Sequence, residues 1–459
     1  MSDSPKIFTT HLREMTARFD PAYFIPEYQE YDKRLKSCGL PIVRLSQWID
    51  SIDSGVGIYD LSVEKGWRYL NVNNICEVGI NYEECGFVKV PPDIGAVNVI
   101  RGGDIITGRV GTIGVFAKHS DEPPAYISDN VFRIRLKDCN SDYVLAVLNS
   151  AIVQNQLARA AKGSLQRVVN KQTIRSLQIP VPPLDVQSRI VAELDAAYEA
   201  KRKADEKTAQ LLASIDDIVL SELGIPKLPP QDTSLKARMF MVSSKRVADS
   251  TLAPKHYFSE LDFSTSQYPC IRFSDVIDID PTERSHESRE HCPFVPMENV
   301  SAAYGLIEQV ETITGEQTDG YSVFRNGDVI WAKITPCMEN GKSAVVETGD
   351  VGLLYGSTEF MVFRPRSNEI ISRYLHSLLR LKWLRDVAAH HFSGSAGHQR
   401  VTTGFFKNLM IPVPPCKIQE KLVAKVNAIY EKAKSLKSAA AKALTSAKSS
   451  VEVQLLGGR

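Results

Sequence analysis

Two long stretches of the chain place apolar or small residues at alternating steps of four and three, the pattern of a helix that buries one narrow seam. The first stretch follows residue 183 and the second follows residue 415. The seam positions are Val186, Ile190, Leu194, Ala197, Lys201, Ala204, Thr208, Leu211, Ile215 and Ile218 in the first stretch, and Ile418, Leu422, Val426, Ile429, Ala433, Leu436, Ala440, Ala443 and Ala447 in the second. Each helix is expected to run for about 35 residues, or roughly 50 Å. Because a helix of that length cannot bury its seam alone, we expect the two to pack antiparallel against each other.

The rest of the chain has short apolar runs separated by Gly, Pro and Asp, which predicts short β-strands joined by turns. These runs fall at residues 41–49, 67–72, 104–110, 113–118 and 131–136 before the first long helix, and at 270–277, 328–334, 343–347 and 360–365 before the second. Shorter helical patterns follow at 142–160 and 370–388. The sequence therefore predicts two mixed α/β parts, each followed by a long helix.

The chain repeats itself. Ile-Pro-Val-Pro-Pro occupies residues 179–183 and again residues 411–415, which is 232 residues later. At that offset the helices match at Gln187 and Gln419, Val191 and Val423, and Tyr198 and Tyr430. GSLQRV at 163–168 is similar to GHQRV at 397–401, and GDII at 103–106 is similar to GDVI at 327–330. Each pentamer is expected to be an extended segment that leads from a strand into a helix, with Asp185 as the N-cap of the first helix.

The predicted fold class is α+β with a pseudo-twofold internal repeat: two mixed α/β domains separated by a coiled coil of two long antiparallel helices. The predicted divisions are 1–164 and 230–394 for the two α/β domains, and 165–229 and 395–459 for the junction loops with their long helices.

Composition narrows the possibilities without identifying a function. The chain has 459 residues, 43% of them hydrophobic and 24% charged, as in folded proteins. Its net charge of +1 gives no sign of nucleic-acid binding, so a DNA-binding protein of this composition must gather its cations locally. We find neither a run of about 18 apolar residues nor a leader pattern, and we expect a cytoplasmic protein without a membrane span. The eight cysteines are scattered without the spacing of a metal site, and we expect free thiols.

This layout resembles the specificity subunits of type I restriction-modification systems. The shared features are a globular part, a Gly-containing junction with a Gln, the Pro-rich pentamer, a Gln a few residues on and a long helix, all present twice. Residues 18–24, RFDPAYF, resemble the opening of those subunits, and residues 252–258 repeat it more weakly. The resemblance implies that each globular part is a target-recognition domain for one half of a split, asymmetric site in double-stranded DNA. It also implies that the helices hold the two domains apart at a fixed distance.

The resemblance also implies partners. Two methyltransferase subunits would bring S-adenosylmethionine and methylate an adenine in each half-site, and restriction subunits with ATP-dependent motors can join them. We expect this chain itself to hold no cofactor, no metal and no catalytic residue. It has neither a Walker loop nor the Asn/Asp-Pro-Pro-aromatic loop of an adenine methyltransferase, only Glu122-Pro123-Pro124-Ala125. The alternative is an architectural or regulatory DNA-binding protein that works without enzymatic partners, which would lack a neighbouring methyltransferase gene.

Candidate DNA contacts lie at matched points of the two halves. Arg109 and Lys333 follow matched strands and could reach a guanine edge or a phosphate, or they could be surface charges beside a turn. The junction loops add Gln166, Arg167, His398, Gln399 and Arg400, which either contact DNA or only form the turn before the helix. Further candidates for base readout are Asn73, Asn74, Glu298, Asn299, Ser128, Asn130, Ser357 and Glu359, although turn chemistry alone also favours such residues there. Asp104 and Asp328 lack a second acidic residue in a suitable place for a nuclease site.

Overall fold

The computed structural model describes residues 25–58, 66–89, 99–110, 114–120, 123–160, 168–226, 261–283, 291–315, 318, 320–347, 349, 352–394 and 399–457. The chain divides into two compact units. Unit 1 comprises Met1–Glu206 with Leu436–Arg459, and unit 2 comprises Lys207–Ser435. The motif at residues 18–24 and its echo at 252–258 lie outside the described residues. No helix in the described ranges is long and apolar enough to cross a membrane.

Unit 1 is a mixed α+β body with short strands. Its strands are β1 Ile42–Arg44, β2 Ile49–Ser54, β3 Trp67–Leu70, β4 Ile75–Cys76, β5 Gly79–Ile80, β6 Gly86–Val88, β7 Val99–Ile100, β8 Ile105–Gly108, β9 Phe116–Lys118, β10 Ala125–Ile127, β11 Val131–Leu136 and β12 Gln178–Pro180. Its helices are α1 Pro26–Ser37, α2 Ser141–Leu148, α3 Ala151–Ala160, α4 Lys171–Ser176 and the first part of α5 Leu184–Glu222. Short 3-10 turns occupy Leu45–Gln47 and Val72–Asn74.

Unit 2 repeats much of this order. Its strands are β13 Cys270–Arg272, β14 Ile277–Ile279, β15 Cys292–Val295, β16 Glu311–Ile313, β17 Ser322–Arg325, β18 Val329–Ala332, β19 Ser343–Val345, β20 Leu353–Gly356, β21 Phe360–Pro365, β22 Phe392–Ser393, β23 Arg400–Val401 and β24 Met410–Pro412. Its helices are α6 Phe273–Val276, α7 Ser372–Leu379, α8 Lys382–His390, α9 Thr403–Lys407 and the first part of α10 Cys416–Leu456. A 3-10 turn at Met297–Asn299 corresponds to the one at Val72–Asn74.

The sheets of the two units have the same strand order. Unit 1 contains the sheets β2-β11-β8-β9 and β6-β3-β10-β7, and unit 2 contains β14-β21-β18-β19 and β16-β15-β20-β17. In each unit one strand pair of the second sheet is parallel, β3 with β10 and β15 with β20. A small antiparallel pair, β1-β12 or β13-β24, carries the start of each Pro-rich pentamer. The duplication predicted from the sequence is therefore confirmed at the level of strand pairing.

The two pentamers are held in the same way. Tyr143 donates its hydroxyl hydrogen to the carbonyl of Pro180 at 2.5 Å, and Tyr374 does the same to Pro412 at 2.7 Å. The long helices begin directly afterwards, at Leu184 and Cys416. Asp185 thus lies within the first turn of its helix rather than at the N-cap, because the helix starts at Leu184, two residues earlier than an N-cap at Asp185 would place it.

Within each unit, segments of α5 and α10 lie side by side. In unit 1, Gln454 donates to Glu193 at 2.9 Å, and the Lys448 ammonium lies 5.8 Å from the ring centre of Tyr198. In unit 2, the Thr208 hydroxyl donates to the carbonyl of Ala433 at 3.5 Å. Within unit 1 the contacts move towards the N-terminus of α10 as they move towards the C-terminus of α5, so the two helix segments are antiparallel.

The predicted seam positions are buried or half-buried except at one position. All ten predicted positions of α5 are buried or half-buried. On α10, however, Ala443 is exposed and the buried residue is Leu444, at 3% exposure. The step after Ala440 is four rather than three, and it turns the larger apolar side chain inward.

Candidate nucleic-acid interface

The turns that carry Arg109 and Lys333 are built alike. Arg109 follows β8, donates its backbone N–H to the carbonyl of Asn130 at 2.9 Å and accepts from the N–H of Val169 at 3.1 Å. Lys333 follows β18, donates its backbone N–H to the carbonyl of Glu359 at 2.9 Å and accepts from Val401 at 2.9 Å. The two residues are therefore equivalent, as the sequence predicts, and each is held by two backbone hydrogen bonds.

The backbone pairing also places Asn130 opposite Glu359 in the repeat and corrects one match. Val110 forms a bridge with Val168, and Ile334 forms the equivalent bridge with Arg400. Arg400 therefore corresponds to Val168, although the sequence match of the two Arg-Val pairs aligns it with Arg167. This one-residue shift means that unit 1 has an apolar residue at the position where unit 2 has a cation.

In unit 1 the Arg109 side chain lies over an aromatic ring. Its guanidinium carbon is 5.8 Å from the ring centre of Phe132, and Nη1 donates to the carbonyl of Asp129 at 3.3 Å. The Nε–H is buried and finds no acceptor among the described residues. The contact with Phe132 restricts the side chain, and the guanidinium keeps donor capacity that the described part of the chain does not use.

In unit 2 the cation beside the turn is paired with a carboxylate. Arg400 donates from Nε to Glu359 at 2.8 Å and from Nη2 at 2.6 Å, and its side chain is 42% exposed. The hydrogen bond to Glu359 raises the pKa of Arg400 above its ordinary value. Lys333 is half-buried, and the carbonyl of Gln399 accepts from the N–H of Thr335, two residues after Lys333, at 3.1 Å.

Asn74 and Asn299 lie on the second pair of matched loops, and both use their side chains in hydrogen bonds within the protein. Asn74 is buried; its Oδ1 accepts from the N–H of Asn71 at 2.8 Å and its Nδ2 donates to the carbonyl of Asn81 at 3.2 Å. Its counterpart Asn299 donates to Glu311 at 3.0 Å. The neighbouring side chains of Asn73 and Glu298 are exposed. On these loops the exposed members are better placed for DNA contact than the two asparagines that form the turns.

The serines sit at a third matched point. Ser128 is buried and its N–H donates to the carbonyl of Leu70 at 2.9 Å, whereas Ser357 is half-buried and donates to Val295 at 3.3 Å. Asn130 is exposed. Gln166, Arg167 and His398 lie outside the described residues, and within the part of the chain that is described no cluster of His, Cys and carboxylates has the arrangement of a metal site.

Asp104 and Asp328 each form an ion pair with an arginine of the same unit. Asp104 binds Arg135 through Nε at 2.8 Å and Nη2 at 2.7 Å, and Asp328 binds Arg364 through the same two nitrogens at 2.7 Å each. Each carboxylate also accepts a backbone N–H three residues earlier in the chain. Sequence reasoning missed these ion pairs and the Arg400–Glu359 pair, because the partners are 31 to 41 residues apart and meet only through strand pairing.

The two units thus repeat one α/β body, and each holds a cation at the same turn. The family model for the type I restriction modification DNA specificity domain matches residues 74–212 and 271–444, once in each half. The chain belongs to this family.

Part of the chain is similar to curated specificity subunits. It is 34% identical over 154 residues to the type I restriction enzyme EcoEI specificity subunit of Escherichia coli. This stretch covers 33% of this chain and 26% of that protein. It is 33% identical over 149 residues to the EcoAI specificity subunit of the same organism, covering 32% and 25%. The matched stretches thus span about a quarter of either relative.

Solved structures of type I systems align over nearly the whole chain. One is a chain from a study of complex assembly and conformational transition in a type I R-M system, with TM-score 0.47, 19% identity, and 91% of this chain and 97% of that chain covered. Another is the crystal structure of the S subunit from M. genitalium, with TM-score 0.41, 13% identity, and 92% and 97% covered.

Proposed function

We propose that this chain is the DNA-binding specificity subunit of a type I restriction-modification complex. Each unit reads one half of a bipartite, asymmetric site in double-stranded DNA, and the chain recruits the enzymatic partners without catalysing a reaction itself. The observation that carries this proposal is the matched frame of hydrogen bonds around Arg109 and Lys333. The same backbone contacts recur in both units while the surrounding side chains differ, as expected of two readers of different sequences.

The contact residues follow from exposure and from the groups already used inside the protein. Phosphate contacts need cations, and base readout needs exposed donors and acceptors on a fixed backbone. The half-buried candidates are Arg109, Lys333, Gln399 and Arg400 at the matched turns and Ser357 on a neighbouring loop, and the exposed candidates are Asn73, Asn130 and Glu298. Asn74, Ser128 and Asn299 shape the loops that present these groups. Gln166, Arg167 and His398 remain predicted contacts.

We propose that the long helices α5 and α10 set the distance between the two DNA half-sites. The heptad seam and the antiparallel order of contacts inside unit 1 support a coiled-coil spacer made of α5 and α10. Inserting seven residues into both helices preserves the seam. We expect a complex containing this variant to methylate a motif with a longer non-specific gap and unchanged half-sites. An unchanged gap would show that the helices do not set the spacing.

The enzymatic partners are two methyltransferase subunits that bring S-adenosylmethionine, joined in some assemblies by restriction subunits with motors. Family membership supports this assignment. The purified chain with S-adenosylmethionine should methylate nothing, and should direct methylation only when its cognate methyltransferase subunit is added. Methyl transfer by the chain alone would overturn the proposal.

The division of reading between the units is tested by exchange. Replacing residues 240–390 with those of a related subunit should change one half of the methylated motif and leave the other half intact. Methylation sequencing of host DNA with and without the gene identifies the motif directly. A change in both halves would contradict independent readers.

A further inference from the structure

The two matched turns differ in charge although their backbones agree. In unit 1 the three corresponding positions are Arg109, Asn130 and Val168, whereas in unit 2 they are Lys333, Glu359 and Arg400. Unit 2 thus adds one cation and one carboxylate to the same frame. Because the added charges bind each other, they leave the net charge of the turn unchanged and alter only its geometry.

The position of Glu359 is fixed by the backbone rather than by the salt bridge alone. Its carbonyl accepts the N–H of Lys333, and its own N–H donates to the Ser357 hydroxyl at 3.3 Å. Arg400 is fixed from the other side by its bridge to Ile334 and by pairing of Ser393 with Arg400 in the strand pair β22-β23. Both ends of the ion pair therefore lie on ordered segments.

The two members of the pair differ in exposure, and Glu359 is the less accessible one. The side chain of Glu359 is 21% exposed, while that of Arg400 is 42% exposed. The carboxylate holds the Nε and Nη2 edge of the guanidinium, so the orientation of its plane is set before any ligand binds. A fixed Arg can discriminate between base edges, whereas a free Arg or Lys gains its affinity mainly from phosphate charge.

We propose that Glu359 is a positioning residue that gives unit 2 its sequence discrimination by holding Arg400 in one orientation and cancelling its charge. This inference rests on the proposed function of the chain, and it adds a mechanism by which the two half-sites are read with different chemistry. Unit 1 reads with Arg109 held over Phe132, and unit 2 reads with Arg400 held by Glu359.

The test compares Glu359→Gln with Arg400→Lys in the assembled complex with the methyltransferase subunit. Glu359→Gln releases one unit of positive charge at the turn. Binding to unrelated duplex DNA should tighten, and its salt dependence should steepen by about one further phosphate contact, a change of about 0.9 in the slope of log K against log salt. Discrimination against altered bases in one half-site should fall roughly 5- to 150-fold, the range of one bidentate contact. Arg400→Lys should lose the same discrimination without steepening the slope.

The matched control is Glu347→Gln, which breaks a second, more exposed Arg–Glu pair of the same unit, between Glu347 and Arg373, with a hydrogen bond of 2.7 Å. It should leave the salt slope and both half-sites unchanged. The inference is overturned if Glu359→Gln behaves like this control or weakens both half-sites equally. If wild-type complex shows no sequence preference at all, the proposed function fails instead, and the two failures are thereby distinguished.

Discussion

Replacing Asp328 with Asn should destabilise unit 2 substantially. Asp328 is 1% exposed and accepts two hydrogen bonds from Arg364 and one from the N–H of Arg325 at 2.9 Å. Asn keeps the shape and one acceptor for the Arg325 N–H, but it removes the charge. Arg364 would then retain only Glu283 as a carboxylate partner among the described residues.

The expected magnitude follows from burial. Removing one partner of a buried ion pair costs about 3–5 kcal/mol. Because Arg364 keeps Glu283, we expect about 3 kcal/mol for Asp328→Asn. Asp104 is equally buried, but the side chain of its partner Arg135 is 36% exposed and can be rehydrated, so Asp104→Asn should cost only about 1–2 kcal/mol. Asp278→Asn breaks an exposed pair in unit 2 with side-chain exposures of 44% for Asp278 and 49% for Arg366, and should cost under about 1 kcal/mol.

Urea unfolding followed by tryptophan fluorescence measures these differences. In a background without Trp48 and Trp67, the remaining Trp331 and Trp383 both lie in unit 2 and report its transition. The same background serves for all variants of unit 2, and the complementary background serves for Asp104→Asn. If Asp328→Asn and Asp278→Asn cost the same, the interpretation of Asp328 as the anchor of a buried ion pair is wrong.

Three further predictions concern single side chains. Burial lowers the pKa of His376 to about 3, well below the pKa of about 6.5 in an unfolded chain. Because only the unfolded state binds the proton as the pH falls, unit 2 should lose about 1.4 kcal/mol of stability per pH unit between pH 6 and 3. The variant His376→Leu introduces the residue that unit 1 has at Leu145, and it should remove this slope in pH-dependent unfolding. Gln419 is buried and donates to Pro414 at 2.8 Å and Glu369 at 2.6 Å, so Gln419→Ala should cost about 1–3 kcal/mol of unit 2 stability in urea unfolding, with exposed Glu420→Ala near zero. Arg109→Ala should weaken binding at one half-site by about 1–3 kcal/mol and Lys333→Ala at the other, measured on duplexes altered in one half-site at a time; equal effects on both would contradict separate readers.

Much of the architecture could be predicted from the sequence, because it depends on periodicity and repetition. The heptad steps identify α5 and α10, whose observed lengths of 39 and 41 residues slightly exceed the predicted ones. The Pro-rich pentamers locate the junctions between strand and helix. The error at Ala443 arose because a one-residue choice between Ala443 and Leu444 depends on which side chain fills the space, which a regular pattern does not encode.

The candidate site was less predictable, because it is assembled from segments distant in the sequence. The equivalence of Arg109 and Lys333 could be read from the repeat, since both follow strands with similar sequences. The correspondence of Arg400 with Val168 could not, because a register shift of one residue in a short strand leaves the Arg-Val dipeptides apparently aligned. The role of Asn74 was also hidden, since Asn suits both a turn and a base contact.

The nearly neutral composition is compatible with a DNA-binding role because many of the charged side chains pair with each other. Arg135, Arg364, Arg373 and Arg400 each bind a carboxylate within the same unit. Such pairs add equally to both sides of the charge count, so a net charge of +1 says little about the field near any one turn. At the matched turns the backbone holds Arg109 and Lys333 in equivalent positions. Asn130 in unit 1 is neutral, whereas Glu359 in unit 2 carries a negative charge that Arg400 neutralises. Two copies of one frame can in this way diverge in the sequences they read without changing the fold or the overall charge of the chain.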